Sequence, residues 1–202
     1  MTYQDFDGRN LCSDAIRAHR RLLTRNGYPP SLEYVTGELA VSSSALSSIF
    51  HDDAHLLKVV IESALMQLHD RCIQATTAVE DDNPIIQLEA LAVAYVGWAL
   101  DHSGEFLALR STTLGALRED DELTRFERAV LELLQRLLVR ARDEGLLASR
   151  DDPEVLAELI SSYICGAVHR VMLQRLPQEE PGPRDLLGVC KNLRLLLQRL
   201  IG

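Results

Sequence analysis

Residues 31–50 read SLEYVTGELAVSSSALSSIF, and the fold turns on them. Ser31 is a natural N-cap for a short helix carrying Leu32, Val35 and Leu39. A tight turn must follow at Ala40-Val41, where a small residue is required. Ser42 then caps a second short helix with Ala45, Leu46 and Ile49, ending at Phe50. Two short helices about a tight turn form a helix-turn-helix candidate. Its first helix lies across a DNA backbone and its second enters the major groove by its amino end. Val41 is the expected apolar plug between them. The residues expected to meet DNA are Ser31, Ser42, Ser43, Ser44, Ser47 and Ser48, with Arg17 and Arg21 from the preceding helix.

Upstream, Leu11, Ala15, Ile16, Ala18, Leu22 and Leu23 line one side of a helix from about Asn10 to Arg25. Asn26-Gly27 stops it and Pro29-Pro30 forbids its continuation. Downstream, a long helix is expected from Asp52 to Ala78, whose acidic start suits the helix dipole. Others are expected over Pro84–Asp101, Glu105–Arg110, Asp120–Glu144, Pro153–Leu176 and Arg184–Leu200. Residues 111–118 are ambiguous. The pattern predicts an all-α protein of about nine helices. A three-helix head occupies residues 1–52 and a larger helical body residues 53–202.

The chain has 202 residues with a formal net charge of −9. Residues 1–60 hold six basic and seven acidic side chains, so the acidity lies in the body. An acidic body repels phosphate, which confines any DNA contact to the head. Cys12, Cys72, Cys165 and Cys190 are far apart without a C-x-x-C pair, which argues against a disulfide or zinc framework. No signal pattern opens the chain and no apolar run nears the roughly 20 residues that span a bilayer. The expectation is a cytoplasmic protein with buried thiols and no membrane partner.

The head resembles that of the tetracycline-repressor-like (TetR) regulators. The residues carrying the resemblance are Gly27-Tyr28, Ser31, Val35, Ala40-Val41-Ser42, Ala45-Leu46 and Phe50, followed by Leu56-Leu57. In the body, Glu144-Gly145-Leu146-Leu147 and Asp152-Pro153-Glu154 continue the likeness. The resemblance implies a homodimer that binds double-stranded DNA and is released by a small-molecule effector, without a cofactor. This chain departs from the pattern at three positions. Ser47 stands where the family usually has Tyr, Ile49 where it often has His, and Asp53 where it usually has Lys. In the family that Tyr and Lys contact phosphate, so weaker, salt-sensitive DNA binding is expected here. The runner-up is a helical dimer of the same shape whose head has lost DNA and acts by protein or ligand binding.

In the body, Trp98, His102, Phe106 and Arg110 recur every four residues. If helical throughout, they form one stripe and an effector wall; Tyr95 and Tyr163 are further candidates for binding the effector. Ordinary core packing explains the same spacing. The last two long helices carry more apolar residues than one core-facing side needs. They are expected to dimerise through Ile160, Ile164, Ala167, Val168, Leu193, Leu196, Leu197 and Leu200. His51 and His55 beside Asp52 and Asp53 suit a helix cap better than a metal site. No phosphate loop, nucleophile elbow or H-E-x-x-H is present, so no enzyme is expected.

Overall fold

Local sequence explains the start of most helices in the structure, a computed structural model. It describes residues 8–111, 120–147, 152–173 and 183–201, with the side chains of 8, 9, 173, 183–187, 198, 200 and 201 left aside. The described residues form helices α1 (Gly8–Asn26), α2 (Leu32–Leu39), α3 (Ser43–Ser47), α4 (Asp53–Thr77), α5 (Pro84–Asp101), α6 (Ser103–Arg110), α7 (Asp121–Asp143), α8 (Pro153–Leu173) and α9 (Pro183–Ile201). No strand occurs among them, so the all-α expectation holds. Residues 111–118, ambiguous in sequence, fall almost wholly outside the description.

Caps set the boundaries. The amide of Tyr34 donates to Ser31 Oγ at 3.2 Å and that of Ala45 to Ser42 Oγ at 3.3 Å, which starts α2 and α3. Asn83 takes the Ile85 amide at 2.9 Å, and Pro84 opens α5, where its missing N–H costs nothing. The His55 amide donates to Asp52 Oδ1 at 2.7 Å in the first turn of α4. Asp52 is therefore a cap.

The turn between α2 and α3 places Ala40 at φ 52° and ψ 38°, in the left-handed region. Its amide still reaches the Gly37 carbonyl, and the Val41 amide reaches Thr36. A Cβ in this region is strained, so compactness here is held against a local cost of about 1 kcal/mol.

The chain sorts into two compact units. One lies within Met1–Ala64 and Gly104–Leu123, the other within Leu65–Ser103 and Thr124–Gly202. The unit holding the head expected at 1–52 also takes the first half of α4, together with α6. In it, Leu11, Ala15, Ala18 and Leu22 of α1 close over Val35, Leu46, Phe50, Leu56 and Val60. Burying such side chains contributes about 1.5–3 kcal/mol each. Gly104 of α6 meets the last turns of α1. A Cβ added there would stand 2.9 Å from Thr24 Oγ1 and 3.0 Å from the Thr24 backbone nitrogen.

In the second unit α5 packs on both α8 and α9. Leu88, Leu91, Ala92, Val96 and Ala99 of α5 are buried there, as are Leu156, Ile160, Ile164 and Val168 of α8. Arg140 of α7 fastens the start of α5, bonding Gln87 at 3.1 Å and Asp82 Oδ1 at 3.1 Å. By length and composition α8 passes as a membrane span over Pro153–Met172, but its apolar faces also serve the packing just described.

Candidate nucleic-acid interface and effector site

The outer surface of α3 and its flanks is almost wholly hydroxyl. Ser42, Ser43, Ser44, Ser47 and Ser48 are all exposed, while Leu46 between them is fully buried and anchors α3 to the head core. Ser42 is engaged as a cap, and Ser48 Oγ donates to the Ala45 carbonyl at 2.8 Å. Ser43 and Ser47 keep exposed hydroxyls with no hydrogen bond among the described residues. Ser31 is exposed and caps α2. No charged side chain lies on α3.

The two arginines expected to meet DNA are both engaged by carboxylates. Arg17 bonds Asp14, and Arg21 lies 3.9 Å from Glu38. Arg20 points into the unit, where its Nε donates to the fully buried Glu105 of α6 at 2.5 Å. Lys58 of α4 sits 2.8 Å from both Asp120 and Glu122, and these contacts raise its pKa. The same pairing lowers that of Asp120. The amino end of α2 is occupied as well. The Leu32 amide donates to Asp53 Oδ1 at 2.6 Å.

His19 of α1 is fully buried with both ring nitrogens unpartnered. Burial lowers its pKa to about 4, against the opposing pull of Glu105 and Asp53. It is therefore neutral at pH 7. No sequence signal marks it, because a histidine on an apolar helix face reads alike whether or not a partner meets it.

The stripe expected from Trp98 to Arg110 does not run along one helix. His102 leaves helical geometry at φ −117° and ψ 42°, ending α5, and α6 restarts at Ser103. Two separate pairs result. In the second unit Trp98 is buried and stacks on His102, their centroids 5.6 Å apart. In the first unit the Arg110 guanidinium lies over the Phe106 ring at 5.4 Å. Tyr95 meets Trp98 edge-on at 5.8 Å, and its hydroxyl lies 3.8 Å from Cys165 Sγ. Tyr163 has a buried hydroxyl without a partner. Buried hydroxyls ordinarily find one, so Tyr163 keeps an unused donor inside the unit. Among the described residues no cluster of three or more metal-ligating side chains forms.

The residues expected at a dimer face lie mostly inside the protomer. Ile160, Ile164, Ala167, Val168, Leu193 and Leu197 are buried against the second unit's own core, and Leu196 is half-buried. The side chain of Leu200 lies outside the description. On α8 the exposed stripe is Val155, Leu159, Ser162 and Gly166, and on α9 it is Gly188, Asn192, Leu195 and Arg199.

The family described as tetracyclin repressor-like, C-terminal domain, matches residues 88–187. Solved structures agree over nearly the whole chain. A TetR-family transcriptional regulator from Pectobacterium atrosepticum is 23% identical, with 98% of this chain and 97% of that one covered at a TM-score of 0.65. The fatty acid degradation regulator FadR from Bacillus halodurans is 15% identical, with 96% of each covered, at 0.74. A ketosteroid transcriptional regulator of Mycobacterium tuberculosis is 13% identical, with 98% and 97% covered, at 0.72. No curated protein matches the chain. The chain belongs to the TetR-like family of transcriptional regulators.

Proposed function

We propose that the protein is a homodimeric repressor that holds a palindromic operator in the cytoplasm and is released by a small molecule bound in its second unit. The observation that carries the DNA half is the exposed, Ser42-capped start of α3 above the buried Leu46. A helix so anchored presents its amino end outward, as a major groove requires. Serine hydroxyls there can read base edges or phosphates without a bidentate contact. The effector half rests on the aromatic cluster of Tyr95 and Trp98 with His102, and on the unpartnered hydroxyl of Tyr163. The solved fatty acid degradation regulator and ketosteroid transcriptional regulator named above suggest an apolar effector by analogy of fold only.

Dimerisation is assigned to the exposed stripes of α8 and α9, with Leu159 and Leu195 as apolar anchors. In a two-fold pair the same patch meets itself, which suits this self-complementary mixture of leucines and small residues. Effector binding then needs only different affinities for two head spacings to shift the equilibrium.

A second reading has its own observation. The Asp53 carboxylate fills the amino end of α2 where a phosphate would otherwise be drawn. A head so blocked would bind protein or nothing. Selection of bound duplexes from a random pool decides between the two. An enriched palindrome is the expected result, and a pool that stays unenriched at low salt sinks the repressor reading.

A further inference from the structure

The head reaches DNA with few charges to spare, and its described cations can be sorted by their partners. Arg17, Arg20, Arg21 and Lys58 each face at least one carboxylate: Asp14, Glu105, Glu38, and Asp120 with Glu122. Each of these cations therefore shares its charge with a carboxylate, which offsets part of its pull on a phosphate. Arg25, in the last turn of α1, differs. Its Nη2 donates to the hydroxyl of Tyr34 at 3.3 Å and its Nε to Asn26 Oδ1 at 3.4 Å. Both acceptors are neutral, so the guanidinium keeps its full positive charge at the surface.

We propose that Arg25 and Tyr34 together form the phosphodiester clamp of this head. The inference rests on the DNA-binding reading above and names the group that supplies its electrostatic grip. Tyr34 is 50% exposed, and its hydroxyl accepts from Arg25, which leaves the O–H proton to donate elsewhere. The pair therefore offers two or more guanidinium donors and one hydroxyl donor to a single anion, the donor set that fixes a protein on a phosphate backbone. Its position suits the task. Tyr34 lies in the first turn of α2, tied to the Ser31 cap, and α2 is the helix that crosses the backbone in a helix-turn-helix. The clamp makes up for the uncharged α3. Glu33, exposed beside Tyr34, opposes it and sets an upper limit on its strength.

The test uses the full chain and a fluorescein-labelled duplex of about 30 base pairs of mixed sequence, followed by anisotropy from about 50 to 300 mM salt. Arg25→Gln is expected to weaken binding about tenfold near 0.1 M salt and to lower the slope of log affinity against log salt by about one per protomer. Tyr34→Phe removes a neutral hydroxyl, so it should weaken binding about threefold with the slope unchanged. Arg142→Gln, an exposed arginine of α7 in the second unit, serves as the control and should alter neither. Circular dichroism checks that both exposed-site variants stay folded. An Arg25→Gln protein with the parental slope overturns the clamp and leaves the DNA reading standing. A parental protein that binds no duplex even at low salt overturns both.

Discussion

The backbone amide of Leu32 donates to the carboxylate of Asp53 across 2.6 Å, joining the start of α2 to the start of α4. One acidic side chain thereby sits at the positive end of one helix dipole while opening another helix of its own. The contact strengthens the head and places a negative charge where the family usually carries a lysine.

Asp53→Asn keeps the acceptor oxygen and removes the charge. DNA affinity is expected to rise about fivefold at low salt, corresponding to about 1 kcal/mol of relieved repulsion, with the gain fading as salt is added. The salt series described for the clamp measures it. An affinity that does not move shows that no phosphate approaches α2.

Ala40 occupies a left-handed turn that glycine enters without strain. Ala40→Gly should raise stability by about 0.5–1 kcal/mol, read as a higher urea midpoint at unchanged slope. A lower midpoint would mean that the entropy lost by glycine outweighs the strain released.

Buried neutral His19 makes stability depend on pH. Its pKa falls from 6.5 in the unfolded chain to about 4 in the fold. Below pH 6.5 the unfolded state therefore binds the proton first, and stability drops as pH falls through that window until the folded pKa is passed. Between pH 7 and 5 the loss from this residue is about 2 kcal/mol. His19→Leu should flatten that part of the profile. Denaturation curves at both pH values check it, and an equal fall in the variant assigns the effect to carboxylates instead.

Leu159 is 58% exposed on α8 although its neighbours Ile160 and Leu156 are buried. If the exposed stripe is the dimer face, Leu159→Glu places two like charges at its centre and should yield monomer in sedimentation at micromolar concentration. Helical content should be retained, since the side chain leaves no cavity inside the protomer. A variant that still sediments as a dimer moves the interface elsewhere.

Much of the head was legible in the sequence. Ser31 and Ser42 are capping residues before short apolar repeats, and both cap as expected because N-capping is a contact within three residues. Pro84, Gly27 and the acidic starts of α4 and α7 act through the same local physics. The single helical stripe from Trp98 to Arg110 did not form, for a local reason too. A four-residue period from Trp98 to Arg110 assumed an unbroken helix, and the chain breaks at His102.

The sequence by itself determined the helices, their caps and the helix-turn-helix, because those depend on side chains within a turn or two of one another. Only the tertiary structure decided which charges remain available and which apolar faces remain outside. Glu105 is 85 residues from Arg20, and Glu38 reaches Arg21 from another helix, so nothing in the linear order sets Arg25, with its neutral partners, apart from the other described cations of the head. Likewise, α8 is apolar on more than one side, and packing against α5 and α9 chose which side was buried. Helical periodicity reports that a face is apolar; its neighbours in space decide whether it is covered.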